Sequence, residues 1–326
     1  MKEIVALPED EKVSLTELEH TLQQQLAEVT ETPGFEAVLI LETVLGVSRT
    51  DILLGKTVSL DDKQREQLTA LLEGRKERRP LQYLLGSWEF YGRPFIVGEG
   101  VLIPRPDTEI LAEQVLEGVR DIPNPRILEL CGGSGCLAVT IALERPDAEV
   151  WCVEKSPEAF SYLQKNNQAL GAGVHTLLGD ALDTGCVEGN FDCILSNPPY
   201  LSDTDMQELE PELSYEPAMA LYGESDGLFF YRELTARWVE RLRPGGLLAY
   251  EIGMGQHPKV AKMMRSAGLN TICQTRDYGG IIRVLTARPD DSGKGCTDIK
   301  IRTVTGEEFT GMERNGTDYG ESKGRR

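Results

Sequence analysis

The chain has 326 residues, 40% hydrophobic and 27% charged, which is enough for two domains with a core each. Its 53 acidic residues outweigh 34 basic ones, and the net charge of −19 disfavours gripping nucleic-acid phosphates, which needs clustered Lys and Arg. No apolar run approaches the ~20 residues of a membrane span.

The opening stretch MKEIVALPEDEKVSL lacks the basic end and apolar run of a secretory signal, so a cytoplasmic protein is expected. Residues 14–79 read as helical. Leu15, Leu18, Leu22, Leu26 and Val29 recur at helical spacing, and Ser14 with Glu17 has the pattern of a capping box. Pro33-Gly34 interrupts, an apolar segment follows from Phe35 to Leu45, Asp51–Gly55 reads as a short helical turn, and a last helix runs from Leu60 to about Arg78. The richest basic cluster, Arg75, Lys76, Arg78 and Arg79, reads as the solvated end of that helix. No catalytic motif falls in residues 1–79, which are expected to form a small helical bundle that caps the fold or docks a substrate.

Residues 80–106 turn aromatic and glycine-rich, with short β runs broken by Gly and Pro, and read as a hairpin joining two domains. From 107 to 288 strands and helices alternate. The predicted strands are Arg126–Leu130, Glu149–Glu154, Thr176–Leu178, Phe191–Ser196, Leu247–Ile252, Asn270–Gln274 and Ile281–Thr286. The predicted helices are Thr108–Val119, Cys136–Glu144, Pro157–Leu170, Gly227–Leu242 and Pro258–Ala267. This alternation implies an α/β fold with a mostly parallel sheet covered on both faces. The last two strands are too close for a crossover helix and should form an antiparallel hairpin at the sheet edge. Residues 289–326 open with a linker composition and hold few apolar residues; a tail without structure is expected, with one short strand at Asp298–Thr305 as the alternative.

The seven cysteines are scattered, with no C-x-x-C pair and no Cys/His zinc spacing, so no metal site is expected and the thiols read as reduced and structural. The three histidines stand apart from any nucleophile signature.

Two motifs carry chemistry. In the first, the strand Arg126–Leu130 runs through Cys131-Gly132-Gly133-Ser134-Gly135 into a helix, a turn that lets backbone approach a ligand beside a helix N-terminus. The next strand ends in Glu154, 19 residues beyond Gly135, where a carboxylate can accept from both hydroxyls of a ribose. This pattern alone also fits a dinucleotide site. In the second, the apolar strand Phe191–Ser196 runs into Asn197-Pro198-Pro199-Tyr200. Two prolines hold the loop rigid and leave carbonyls outside the ladder. The Asn197 side-chain oxygen and the Pro198 carbonyl then offer converging acceptors for an NH2 group, and Tyr200 offers a face to a planar substrate. As a bare sequence N-P-P-Y is an ordinary turn; at a strand's C-terminal end beside a cofactor crevice, binding is the stronger reading.

The glycine-rich turn, Glu154, Gly179-Asp180 and N-P-P-Y, in this order, resemble a class I S-adenosylmethionine-dependent methyltransferase of the amino-group type. The flanking segments Arg79-Pro-Leu-Gln-Tyr-Leu-Leu-Gly, Leu102-Ile-Pro-Arg-Pro-Asp-Thr-Glu and Tyr215-Glu-Pro-Ala-Met-Ala-Leu are similar to the peptide chain release factor glutamine N5-methyltransferases, the PrmC/HemK family, over residues 14–288. The resemblance implies a seven-stranded, Rossmann-like methyltransferase domain at 107–288, a helical substrate-docking domain at 1–79 and a β-hairpin linker at 80–106. It implies S-adenosylmethionine as cofactor and the glutamine of the Gly-Gly-Gln motif of class I release factors as substrate, with no nucleic acid or membrane as partner. Carried over by position, Glu129 and Cys131 to Gly135 would cradle the methionine end, Glu154 the ribose, and Asp180 with Ala181 the adenine. Asn197 would touch both cofactor and substrate, and Asn197 to Tyr200 would hold the glutamine amide, with Asn197, Pro198 and Tyr200 as the catalytic set. The Ile103–Thr108 segment would cover the cofactor.

Some positions depart from the family pattern. Cys131-Gly132 stands where Gly or Cys and then Thr are usual, Glu154 replaces a more common Asp, and Ala181 sits where an aromatic is frequent, so any ring stacked on adenine must come from elsewhere. Rival readings are a glutamine methyltransferase acting on a ribosomal protein, an exocyclic-amine nucleic-acid methyltransferase, an NAD-dependent dehydrogenase and a non-catalytic binding module. The dehydrogenase leaves N-P-P-Y unused, and the nucleic-acid enzyme needs a basic groove that the charge opposes.

Overall fold

The computed structural model describes residues 12–289, together with the backbone of residues 299–302 and 308–311. It opens with the strand β1 (Val13–Ser14), followed by helices α1 (Leu15–Leu26), α2 (Pro33–Leu45) and α3 (Arg49–Leu53), strand β2 (Thr57–Val58) and helix α4 (Asp62–Lys76). The leucines that repeat along α1 are all buried against Ala37, Ile40 and Leu41 of α2 and Leu68 and Leu72 of α4. Each such side chain contributes roughly 1.5–3 kcal/mol, so this bundle has a core of its own.

The helix starts differ from expectation. Ser14 makes no cap bond, because β1 pairs with β2 and turns the Ser14 hydroxyl toward the Gly55 carbonyl. Working capping boxes form instead at Ser48/Asp51 and Asp61/Gln64. Pro33 and Gly34 do not interrupt; they are the first residues of α2, where a missing N–H costs nothing. The basic cluster is also not simply a solvated helix end. Arg75 is 2% exposed, and its guanidinium pairs with the buried Glu36 of α2 and reaches Glu212 of the second unit.

A short helix α5 (Leu81–Leu85) leads into the expected hairpin, β3 (Ser87–Phe90) and β4 (Arg93–Ile96). The second unit then alternates α6 (Pro106–Gly118), β5 (Arg126–Leu130), α7 (Cys136–Glu144), β6 (Glu149–Glu154), α8 (Pro157–Leu170), β7 (His175–Leu178) and β8 (Phe191–Ser196). After β8 come two short helices that the sequence pattern does not announce, α9 (Asp203–Gln207) and α10 (Ala218–Leu221). The remaining elements are α11 (Phe229–Trp238), β9 (Leu242–Glu251), α12 (His257–Ser266), β10 (Leu269–Arg276) and β11 (Ile282–Pro289).

These strands form a seven-stranded mixed sheet in the order β7-β6-β5-β8-β9-β11-β10, parallel except where β11 runs against β9 and β10. This is the class I methyltransferase architecture. The hairpin of the last two strands forms as expected, but β11 lies between β9 and β10 rather than outside them. Alternation across β8 places Cys193 and Leu195 toward α6 and α7, and Ile194 toward α11 and α12, so both faces of the sheet are covered. In the tail, β12 (Ile299–Arg302) falls within the strand alternative at Asp298–Thr305 rather than the structureless expectation, and with the unforeseen β13 (Glu308–Gly311) it extends the sheet beyond β10. The rest of that segment, with Cys296, lies outside the described residues. Among the described residues no helix is long and apolar enough to cross a membrane.

Candidate active site

The C-terminal ends of β5, β6, β7 and β8 line up along one rim of the sheet, beside the point where the strand order reverses between β5 and β8. The first feature there is the turn Cys131–Gly135. Gly133 and Gly135 adopt positive φ, and so does Cys131, at 61°, a conformation that L residues enter at a cost. A Cβ on Gly132 would lie 2.2 Å from Cys152 Sγ, and one on Gly135 would lie 2.3 Å from Leu163 Cδ1. The turn is thus packed from behind by β6 and α8.

Glu154 ends β6 and is nearly buried. Its carboxylate accepts from the Gly133 N–H at 2.7 Å and from the Ser156 N–H at 2.6 Å. Each oxygen is fixed by one backbone donor and keeps a further lone pair. Glu129 stands on β5, two residues before the turn. It is buried behind the turn, accepts from the Ala138 N–H at 2.8 Å in the first turn of α7, and takes a bond from Cys152 Sγ. Burial pushes its carboxyl up to about 8. Asn166 of α8 donates to the Ser134 carbonyl and exchanges two bonds with Ile96, so one buried amide ties the glycine-rich turn to the hairpin.

The inner cavity in front of this turn is lined by Cys131, Gly133, Glu154, Asp180, Ala181, Asn197 and Pro199. Gly132, Ser134, Gly135 and Glu129 do not line it; they shape the turn from behind. Residues the sequence reading missed are Gly100, Lys155, Ser156 and Phe230. Phe230 of α11 is the aromatic ring among the residues lining the cavity. Asp180 pairs with Lys155 at 2.8 Å, and Ala181 uses its carbonyl to accept from Trp238 Nε1. Of the strap expected to cover this cavity, only the preceding Gly100 and Leu102 line it. Ile103, itself buried, and Arg105 line a separate, larger cleft instead, and Thr108 lies beneath Asn197.

The loop after β8 is held from several directions. Ser196 Oγ donates to the Leu130 carbonyl at 2.6 Å, joining the ends of β8 and β5. Gln256 Nε2 donates to the Tyr200 carbonyl at 2.9 Å. A Cβ on Gly223 would approach the Pro199 carbonyl oxygen to 2.7 Å, and one on Gly227 would approach that of Tyr200 to 2.3 Å, so the 223–227 turn wraps the loop without a gap. Asn197 Nδ2 donates to Thr108 Oγ1 at 3.3 Å. Burial pushes the Tyr200 phenol up to about 12 and the Cys131 thiol to about 12, so neither serves as a base or nucleophile near neutral pH.

A second, larger cleft of about 520 Å3 lies on the other side of Asn197, between the helical unit and the strap. Thr30, Thr32 and the half-exposed Phe35 form one wall; Pro198, Tyr200 and Leu213 form the other. The loop alternates: Pro198 and Tyr200 face the cleft, Pro199 faces the inner cavity, and Asn197 belongs to both. The strap is fixed by Glu216, which accepts from the Ile103 N–H at 2.9 Å and pairs with Arg105. The six charged residues lining the cleft are four glutamates and two arginines, and each arginine is paired with a glutamate.

Family models cover both units. One described as PrmC N-terminal domain matches residues 17–86, and one described as Conserved hypothetical protein 95 matches residues 89–229. The release factor glutamine methyltransferase of Geobacter sulfurreducens is 39% identical over 260 residues, covering 79% of this chain and 90% of that protein. The protein of the same name from Thermodesulfovibrio yellowstonii is 38% identical over 262 residues, 79% of this chain and 93% of its own length. That of Escherichia coli is 35% identical over 275 residues, 83% of this chain and 99% of its own.

Proposed function

The chain belongs to the release factor glutamine methyltransferase family, and from that premise we propose that it methylates N5 of the glutamine in the Gly-Gly-Gln motif of class I release factors. The observation that carries this reading is the position of Asn197, the loop residue shared by the inner cavity and the outer cleft. A group held in one space can react with a group presented from the other where the two meet, at Asn197 with Leu102 and Ala220 beside it.

S-adenosylmethionine is the methyl donor of this architecture, and the residues present suit it. The glycine-rich turn leaves room for close backbone approach, and Glu154, held by two N–H donors, aims its free lone pairs as acceptors for ribose hydroxyls. Phe230 is an aromatic face for adenine, and the carboxylates of Glu154 and Asp180 favour a cationic ligand. When bound, the donor supplies an electrophilic methyl on a sulfonium.

This chain's residues do the rest by orientation. A side-chain amide nitrogen is a weak nucleophile because its lone pair is delocalised into the carbonyl. Asn197 Oδ1 and the Pro198 carbonyl accept from the two hydrogens of the glutamine NH2 and turn its lone pair toward the inner cavity. Tyr200 packs against the planar amide. Well-oriented reactants gain ~7–11 kcal/mol from placement alone, and because the surplus proton of the methylated nitrogen leaves to solvent after transfer, no strong base is needed. The helical unit, one wall of the cleft, docks the protein substrate, and the hairpin fixes its distance from the turn. An acidic cleft with both arginines paired favours a protein loop over a phosphate backbone. Such a substrate places the enzyme in the cytoplasm.

Single-turnover transfer of a labelled methyl group to purified release factor tests the reading. Wild-type release factor should be labelled and a Gln→Ala version of its Gly-Gly-Gln motif should not. Labelling of that control would remove the substrate assignment.

A further inference from the structure

The opening between the inner cavity and the outer cleft has a frame that the mechanism above does not use. Three residues line both spaces: Asn197 after β8, Leu102 at the entry to the strap, and Ala220 of α10. Leu102 and Ala220 offer apolar side chains, so a substrate side chain crossing between them meets its polar partners only at the N-P-P-Y loop. Hydrogen bonds join these segments pairwise. Asn197 Nδ2 donates to Thr108 Oγ1 at 3.3 Å, and the Thr108 N–H donates to the Arg105 carbonyl at 3.0 Å, which ties the loop to the strap. The Leu201 N–H donates to the Leu221 carbonyl at 2.9 Å, and the Gly223 N–H to the Leu201 carbonyl at 2.8 Å, which ties the loop to α10. Between α10 and the strap the tie is one side chain, Glu216.

Glu216 is 5% exposed and lies two residues before α10. Its Oε2 accepts from the Ile103 N–H at 2.9 Å, next to Leu102, and its Oε1 pairs with Arg105. Tyr83 holds the strap on the other side of Leu102, donating to the Val101 carbonyl at 2.5 Å. The stretch that carries Glu216 is itself anchored to the helical unit: Glu212 pairs with Arg75 and Arg78, and Tyr215 donates to the Glu77 carbonyl at 2.7 Å. Residues 212–220 thus run from the docking unit to one lip of the opening, and Glu216 clamps the other lip to them. A buried ion pair is a weak source of stability, because desolvation offsets its attraction; its use here is to fix geometry.

We propose that Glu216 fixes the span from the docking surface to the opening, and that this span selects side-chain length, so that glutamine reaches the methyl donor and asparagine falls short. This deepens the function proposed above and rests on it. Asparagine is one methylene shorter. With the substrate backbone stopped at a rigid opening, its amide stands back from Asn197 Oδ1 and the Pro198 carbonyl, and a misplacement of ~1 Å can cost on the order of a hundredfold in rate. With slack lips the substrate loop can follow its shorter side chain inward, and the distinction fades. Glu216 is a positioning residue: it acts through the lips, and its bonds go to the strap.

The test compares the full-length enzyme on release factor and on a Gln→Asn version of its Gly-Gly-Gln motif, reading kcat/KM for methyl transfer. The wild type should favour glutamine at least about tenfold. Glu216→Ala should lower that ratio at least about fivefold, while calorimetric affinity for S-adenosylmethionine changes by less than about threefold. Glu216→Gln keeps an acceptor for the Ile103 N–H and should keep most of the ratio. A general loss of stability would lower both rates together and leave the ratio alone. Ala220→Val narrows the opening from the other lip, and should cut the rate on glutamine at least about tenfold with cofactor affinity kept. Equal methylation of the two versions by the wild type, a ratio unmoved in Glu216→Ala, or a wild-type rate in Ala220→Val would each overturn the proposal. If Glu216→Ala does not fold, Ala220→Val decides. A wild type that labels neither version overturns the substrate reading and the length selection with it, whereas labelled glutamine with an unmoved ratio overturns the length selection alone.

Discussion

The inner cavity and the outer cleft share Asn197 but are built in different ways. Much of the cavity wall comes from strand ends, and much of its shape is backbone: the Gly132–Gly135 turn, and two N–H groups pinning Glu154. The cleft wall is assembled from side chains far apart in the chain, and ion pairs hold it. Arg75 of α4 reaches Glu36 of α2 and Glu212 beyond β8, Arg78 also takes Glu212, and Tyr215 donates to the Glu77 carbonyl. A ligand common to many enzymes can be met by backbone, whereas a particular protein partner is met by side chains that must first be fixed relative to one another. Variants of each wall should therefore fail in different ways.

The largest effect is expected at the cleft. Arg75→Ala leaves Glu36 buried without its cation, and breaking a buried pair in this way costs roughly 3–5 kcal/mol. Urea melts should show that loss, and the surviving folded enzyme should have a raised KM for release factor with little change for S-adenosylmethionine. A loss below about 1 kcal/mol, with KM for release factor unchanged, would reduce the pair to a surface feature.

Next comes the shared residue. Asn197→Ala removes an acceptor aimed at the reacting amide and should reduce kcat on the order of a hundredfold or more, as loss of one oriented group in a catalytic site does. Because Gly133 and Glu154 stay in place, affinity for S-adenosylmethionine measured by calorimetry should move far less. A normal single-turnover rate would remove Asn197 from the mechanism.

Glu154→Ala belongs to the cavity and should do the reverse. It deletes charged acceptors worth about 1.5–3 kcal/mol each, so cofactor affinity should fall at least about tenfold. The Gly133 and Ser156 N–H groups also lose their partner, and a modest fall in melting temperature should follow. Affinity unchanged within about twofold would place the ribose elsewhere.

The same contrast explains what was legible in the sequence. Strands Arg126–Leu130, Glu149–Glu154 and Phe191–Ser196, and helices Cys136–Glu144 and Pro157–Leu170, match their expected bounds to the residue, because the strands are buried between two layers and the helices turn an apolar face onto the sheet. The cavity motifs are local and show themselves in a few consecutive positions. Glu129 was expected at the ligand because it lies in the motif, but along β5 its side chain points to the face that meets α7. Arg75 looks like any other residue of a basic run, and its burial depends on partners 39 and 137 positions away. Thr108 lies in a segment the resemblance singled out, but only the fold brings it within hydrogen-bonding reach of Asn197. The short helices α9 and α10 are too brief for a periodic signal.

The smallest predicted effect tests whether the cavity wall is set by backbone. Cys131 is held at φ 61°, where an L side chain costs roughly 1–2 kcal/mol and glycine costs none. Replacing it by either Ala or Gly removes the thiol and its packing, so comparing those two variants isolates the backbone conformation. At an ordinary position Gly would be the less stable of the two by ~0.5–1 kcal/mol, through the greater freedom of its unfolded chain. Here relief of the left-handed strain outweighs that penalty, and Cys131→Gly should be more stable than Cys131→Ala by up to about 1 kcal/mol. Cofactor affinity should be alike in both, because the residues that hold Glu154 are Gly133 and Ser156. If Ala proves the more stable, the turn does not hold residue 131 in the left-handed region, and the backbone account of the cavity fails at its first residue.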